Sequence, residues 1–416
     1  MKNIIINIHY ANELIQISIP ESRLAGVLDS ELKSAESFDT VFNRALLNPL
    51  KAPRLSEFVH EGESLLIIVN DGARHTPTAT ILKRIGPIFS KADFEFLVAT
   101  GSHRPPTELE LKSIFGPFYQ THRSRISIHD CRNKSELELV GKTSYGTRII
   151  ISRRILHNSK ILVIGSVEPH YFAGFTGGRK ALIPGAAGYE TIEQNHSHAM
   201  SELSEPMKLN GNPVHEDMEE AVKILDKDIF SIQVVQDIQN RIVAAFAGNI
   251  QESMHAAADK ARAVYGISVL QKADIVMAVA VPPLDSNLYQ AQKAMEHARM
   301  ILNPGGILIL VSACYEGIGP DAFYRLLSAH RNFDAVIEKI QLKYRLGHHK
   351  AAKWISLSHQ ASSLHGVTQL DPRILKAIHM TPFTSVQEAV DLALQKQPGK
   401  VWVMPTASVT VPVLQN

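Results

Sequence analysis

A histidine, a glycine-rich turn and a lysine stand together in His170-Tyr-Phe-Ala-Gly-Phe-Thr-Gly-Gly-Arg-Lys180. The apolar run Lys160-Ile-Leu-Val-Ile-Gly165 before them predicts a buried strand, which puts His170 at a strand's carboxyl edge. Gly177 and Gly178 permit close backbone approach, and consecutive amides in such a turn form an anion nest. Asn195-His196-Ser197-His198 follows closely. A base, an anion cradle, an amine and a metal ligand in so short a stretch make an active-site grouping. His196 and His198 diverge on either a helix or a strand, so one of them serves a given site. Neither has companions at zinc-finger or metalloprotease spacing.

Further candidates stand at other strand ends. Asp71-Gly-Ala-Arg74 offers a cation held by a carboxylate, suited to gripping a substrate carboxylate; the alternative is an ion-paired surface turn. His103, in Gly101-Ser-His103-Arg104, stands where a general base could act; the alternative is a capping histidine. His170, between Glu168-Pro169 and two aromatic residues, suits a partly desolvated base, against a satisfied core histidine. Lys180 is placed like a P-loop lysine, but Ala181-Leu-Ile-Pro184 follows it, so no hydroxyl is set for magnesium. Tyr289 opens a helical stretch in which Gln290 and Lys293 share a face and could reach one polar ligand; the alternative is a solvated face. Ala294, Met295 and Ala298 mark the core side. His348-His349-Lys350 reads as an exposed basic turn.

The elements that must position these groups follow an α/β pattern. A hairpin is predicted over Asn3–His9 and Leu14–Ile19, then strands at 64–70 and 94–99, each followed by a loop and a helix. Thr107 and Glu110 make a capping box for a helix over 108–115. A fresh pattern starts after Gly266, with strands at 273–280, 305–311 and 401–405. In open α/β sheets ligands bind at the carboxyl ends of strands, so Asp71, Arg74, His103, His170 and Lys180 are expected to converge. The chain of 416 residues exceeds what one core usually serves. We expect two α/β domains with mostly parallel sheets and a cleft between them. The first spans 1–268, completed by 405–416, and the second 269–404, with the boundary near 266–272. Net charge is +2 and cysteines number 2, which argues against nucleic-acid binding and a disulfide framework and fits a cytoplasmic protein. The N-terminus lacks a signal peptide's apolar stretch, and the apolar run 275–284 is too short to span a membrane.

Taken in order, these motifs resemble the nickel-pincer lactate racemase family. The resemblance implies a racemase or epimerase inverting the carbinol carbon of a 2-hydroxy acid, lactate or a related acid, by reversible hydride transfer. It implies nickel and a nickel-pincer nucleotide, a pyridinium-3-thioamide-5-thiocarboxylic acid mononucleotide, held covalently on Lys180. By that resemblance His196 ligates the nickel, and His103 and His170 are the acid/base pair. Arg74, Gln290 and Lys293 orient the substrate with Asp71 and Tyr289. The turn with Gly174, Thr176, Gly177, Gly178 and Arg179 holds the cofactor phosphate. Cofactor-maturation enzymes are implied partners. Ala73 departs from the family pattern, which has threonine there, and Trp354 is a candidate pocket tryptophan. Two other readings compete: a nucleotide-dependent phosphoryl transferase using the glycine-rich loop and Lys180, and a non-catalytic binder of organic acids. Because Arg74 and Lys293 fall in different domains, the resemblance also predicts closure on substrate.

Overall fold

The computed structural model describes residues 2–29, 36–72, 74–329 and 333–415. The chain divides into two compact units, a middle one, Leu32–Val264, and a terminal one made of Met1–Glu31 with Tyr265–Asn416.

The middle unit is built on a six-stranded sheet. Its strands run in the spatial order Ile242–Asn249, Asp228–Gln236, Lys160–Ser166, Ser64–Asn70, Asp93–Ala99 and Ile126–Ile128. All neighbours pair in parallel except the edge pair of 242–249 with 228–236. Leu66, Ile67, Ile68 and Val69 of one strand, and Ile161 to Ile164 of the next, are all fully buried. Such unbroken apolar runs are what a parallel sheet covered on both faces requires. Phe89, Phe96 and Phe115 close the core on one side, with Phe96 edge-on to both others. The expected helix at 78–89 is present as Thr78–Phe89, and Glu108–Phe115 begins with the expected Thr107–Glu110 capping box. After Ser64–Asn70 the chain steps to one side of that strand, and it later returns on the other side as Lys160–Ser166. A switch point of strand order therefore lies between these two strands, where an α/β sheet leaves a crevice at its carboxyl edge.

The terminal unit carries a second six-stranded sheet, all parallel. Its order is Met380–Phe383, Ser363–Val367, Leu302–Val311, Ala273–Val279, Val401–Met404 and Leu24–Val27. The domain division read from the sequence differs here. The first residues do not join the middle unit, because Leu24–Val27 pairs with Val401–Met404. The hairpin Asn3–Tyr10/Glu13–Pro20 also puts Ile6, Ile8, Ile17 and Ile19 into one core with Ile275, Ile309 and Val403. The tail behaves likewise, Val411–Leu414 pairing with Gly266–Val269 inside the terminal unit. Among the described residues no helix is long and apolar enough to cross a membrane.

Candidate active site

The loops that leave the middle sheet at its switch point carry the chemistry. Asp71 follows one central strand and is 7% exposed. Its Oδ2 lies 2.7 Å from Nδ1 of His103, which follows the neighbouring strand. A carboxylate only accepts, so Nδ1 of His103 is the donor and Nε2 is left as the basic nitrogen. Arg74 is held by a carboxylate, as its motif suggests, but the partner is Glu168, beyond the other central strand. The ion pair thus spans the switch point, while Asp71 serves His103. Thr76 Oγ1 and Ser166 Oγ, 2.8 Å apart, make a second tie across the same crevice. Arg104 turns away, forking onto Glu110 at 2.8 and 2.7 Å. That fork and the Thr107 amide hold the Glu110 carboxyl down at about 2.

The segment from His170 to Lys180 folds on itself. Pro169–His170 and Gly174–Phe175 pair as a two-residue ribbon. Gly174, Gly177 and Gly178 have φ of 73°, 78° and 50°, the left-handed region that a side chain disfavours. A Cβ on Gly174 would lie 2.2 Å from the Lys208 carbonyl oxygen. Several donors of this turn are spent inside the protein. Gly178 N–H donates to Gln233 Oε1 at 3.0 Å, and Thr176 N–H to Glu168 O at 2.8 Å. Arg179, 1% exposed, donates through Nη2 to the carbonyls of Ala173 and Phe175, at 2.9 and 3.1 Å. Burial lowers that guanidinium to about 10. The turn is therefore a rigid seat for Lys180 more than an open nest of amides.

Phe172, 2% exposed, is the ring around which the reactive groups gather, and sequence reasoning did not single it out. His170 stands edge-on to it at 4.5 Å and His196 at 5.2 Å, while Lys180 Nζ lies 5.7 Å from its centroid. The backbone N–H of Ala173 donates to Nδ1 of His170 at 3.3 Å, so the neutral ring carries its proton on Nε2. His196 is desolvated. Burial pushes its imidazole down to about 3, with the Lys180 ammonium adding to the shift and His103 contributing further. It is neutral at physiological pH. His198 diverges, as a helix requires, its Nε2 lying 3.8 Å from Asp217 and its ring edge-on to Tyr145.

The His196 helix, Tyr189–Ser197, is anchored through Asp217, a fully buried carboxylate. Asp217 accepts from Thr143 Oγ1 at 2.5 Å, Thr147 Oγ1 at 2.8 Å and Asn195 Nδ2 at 2.7 Å. The sequence does hold a signal for it. On the helix Pro213–Ile224, Val214, Met218 and Ala221 form the apolar stripe, and Asp217 lies within it.

In the terminal unit, Tyr289, Gln290 and Lys293 lie on the helix Leu288–Ala298, capped by Asn287, whose side chain accepts from Gln290 N at 3.0 Å. All three are half-buried, and Ala291, Ala294, Met295 and Ala298 form the core side. The His348-His349-Lys350 segment is not an exposed turn. It begins the helix His348–Gln360, with His349 and Lys350 each 2% exposed. Lys350 Nζ donates to the Tyr289 carbonyl and lies 4.4 Å from that residue's ring centroid, partners distant in sequence. Trp354 is fully buried, its indole N–H donating to Ile378 O at 3.1 Å. Ala73 lies outside the described residues.

Comparison with known proteins gives consistent matches along the chain. Residues 10–207 match the family described as Lactate racemase N-terminal domain, and residues 268–411 that described as Lactate racemase C-terminal domain. The lactate racemase of Thermoanaerobacterium thermosaccharolyticum is 29% identical over 344 residues, covering 80% of each chain. That of Lactiplantibacillus plantarum is 28% identical over 417 residues, covering 96% of this chain and 97% of its own. The solved lactate racemase apoprotein from T. thermosaccharolyticum superposes with a TM-score of 0.92 at 27% identity, over 99% of this chain and all of that one. A Thermotoga maritima protein, at 15% identity and a TM-score of 0.68, shares the fold.

Two outcomes follow for stability. Asp217→Ala strands three buried donors, and we expect it to lower the unfolding free energy by about 3 kcal/mol in denaturant titration. His196 has a folded pKa below its ordinary value of 6.5, so the unfolded chain takes up the proton first as pH falls. Its stabilising contribution is full above about pH 6.5 and declines toward pH 3, by at most about 1.4 kcal/mol per pH unit. His196→Gln should therefore flatten the loss of stability measured between pH 7 and pH 4.5 in the cofactor-free protein.

Proposed function

This chain belongs to the lactate racemase family and is an enzyme of the racemase class, and on that footing we propose that it inverts the carbinol carbon of a 2-hydroxy acid, lactate or a related acid. The observation that carries the reading is the gathering of His170, His196 and Lys180 around the Phe172 ring. With it goes the Asp71–His103 pair, close enough for His103 to act electrostatically on His196.

The residues fit the nucleotide that the family implies. A neutral, desolvated imidazole at His196 is a suitable ligand for nickel, and Lys180 supplies a primary amine for the thioamide on a backbone that cannot shift. When bound, the nickel-pincer nucleotide supplies a reversible acceptor for the hydride on the substrate's carbinol carbon. The glycine turn contributes by seating Lys180: the Thr176 and Gly178 amides and the terminal nitrogens of Arg179 already have partners within the protein.

The rest of the work falls to side chains. Removing hydride from a carbinol requires that the hydroxyl proton leave as well, which calls for a base. His103 offers a bare Nε2, since Asp71 holds its Nδ1–H; Asp71 is thus a positioning residue for that base. His170 in its neutral form offers Nε2–H as a hydrogen-bond donor to the substrate oxygen, and it delivers a proton only as the imidazolium, returning to the neutral ring. Inversion needs this pairing of one base and one acid, and reversal of the reaction exchanges their roles. Arg74 gives one nitrogen to Glu168, and its planar fork has further donors for a substrate carboxylate. Gln290 and Lys293, with Tyr289, are assigned to the substrate on the resemblance. The phosphoryl-transferase alternative is not favoured, because Ala181 follows Lys180 where a hydroxyl for magnesium would be needed. Two buried free cysteines, Cys131 and Cys314, support a cytoplasmic setting, and enzymes that build the nucleotide are the implied partners.

Lys180→Ala, produced with the maturation enzymes, should show no adduct in intact-mass measurement and no racemisation; full activity in this variant would overturn the cofactor assignment. His103→Ala and His170→Ala should each lose racemisation by about 10²-fold or more. In single turnover of loaded enzyme, the two variants should bleach the cofactor absorbance with opposite enantiomers. If one variant loses both half-reactions and the other is unaffected, a single base operates and the pairing is wrong.

A further inference from the structure

A second group of metal-binding side chains lies in the middle unit, on the helices Pro213–Ile224 and Ile250–Tyr265. His215 and Glu219 stand one turn apart on the first helix, and His255 comes from the second. One ligand atom from each lies within 4.8 Å of the other two. His255 Nε2 is 4.0 Å from Glu219 Oε1, and the imidazole centroids are 5.9 Å apart. These separations are too long for hydrogen bonds. Nδ1 of His215 and Nε2 of His255 are both buried without a hydrogen-bond partner, and His215 is only 4% exposed. A buried polar atom left unsatisfied costs about 1–3 kcal/mol, so two of them beside one carboxylate call for a shared occupant.

From this geometry we propose that His215, Glu219 and His255 bind a divalent transition-metal cation of the zinc class, at a site separate from Lys180 and His196. Two neutral imidazoles and one carboxylate are a donor set for such an ion, with a position left for water. Ligand atoms around a tetrahedral ion with bonds of about 2.1 Å sit about 3.4 Å apart, so the group must contract, chiefly by rotation of the flexible Glu219. Burial, then the Arg179 guanidinium, holds the His215 imidazole at about 2, so its lone pair is available at neutral pH. Arg179 and Lys223 are charges that oppose a cation here; Arg179 is bonded to the carbonyls of Ala173, Phe175 and Gly177, and both balance Glu219 through space. Their repulsion makes the site weaker than a four-ligand structural zinc centre. The His255 side chain is 41% exposed and gives the ion a way in. Met254, beside His255, backs directly onto Gly178, where a Cβ would meet it at 2.7 Å. An ion joining the two helices would therefore brace the turn that seats Lys180.

The proposal does not depend on the racemase reading, and its test needs no turnover. Full-length protein made without the maturation enzymes, and stripped with chelator, is titrated with Zn(II) by calorimetry and followed by thermal unfolding. We expect one equivalent to bind and to raise the unfolding temperature. Glu219→Gln and His255→Ala should each weaken that binding about tenfold or more, whereas His196→Ala should retain it. Circular dichroism identifies a variant that fails to fold, and the other then decides. No binding by the wild type at tens of micromolar Zn(II), undiminished binding by both ligand variants, or loss of binding in His196→Ala would each overturn the proposal.

Discussion

Placing a guanidinium where water cannot reach it costs several kcal/mol unless its donors are met, and the loop before Lys180 is shaped by how Arg179 meets that demand through its two terminal nitrogens, Nε being left without a partner. Its nitrogens reach the carbonyls of Ala173, Phe175 and Gly177. Those three carbonyls can converge only if the chain curls tightly, which explains the positive φ at Gly174, Gly177 and Gly178. The curl in turn presents Phe172 and Lys180 to the same space and sets His170 beside them. The loop is thus organised from within by a buried cation, with Gln233 tying it to the sheet.

Around that loop the protein holds three histidines in three distinct environments by three different means. Asp71 holds His103 in one tautomer, and the Ala173 amide holds His170 in the other. His196 is kept uncharged by burial beside Lys180. In the proposed reaction the same ring type would serve as base, acid and ligand, and the difference lies in one neighbour apiece. Asp217 belongs to this arrangement although it touches no reactive group, because it fixes the helix on which His196 rides.

What could be read from the sequence was what depends on near neighbours. The capping box of Thr107 and Glu110, the buried strands at 64–70 and 160–166, and the divergence of His196 from His198 all follow from local spacing. The ion-pair partner of Arg74 did not, because Asp71 is near in sequence whereas Glu168 is near only once two strands lie side by side. Lys350 misled for the same reason. Three basic residues together look solvated until the Tyr289 carbonyl, far along the chain, receives the ammonium. The role of Phe172 was hidden differently, since an aromatic residue in an apolar stretch carries no mark distinguishing a wall of the core from a platform for chemistry.

The pairing of Leu24–Val27 with Val401–Met404 bears on how the molecule is made. The second sheet takes its edge strand from Leu24–Val27 and the neighbouring strand from Val401–Met404, with the whole middle unit between them in sequence. During translation the strand Leu24–Val27 must therefore wait unpaired, and the hairpin's apolar face uncovered, while the whole middle unit emerges and folds. Contacts of such long sequence separation form slowly, and an apolar hairpin left exposed meanwhile is open to association with other chains. Ile5 and Leu14 of this hairpin remain exposed in the finished protein, at 56% and 59%. A chaperone's claim on this chain would fall on the hairpin Asn3–Pro20, well before the loops of the middle sheet had been assembled.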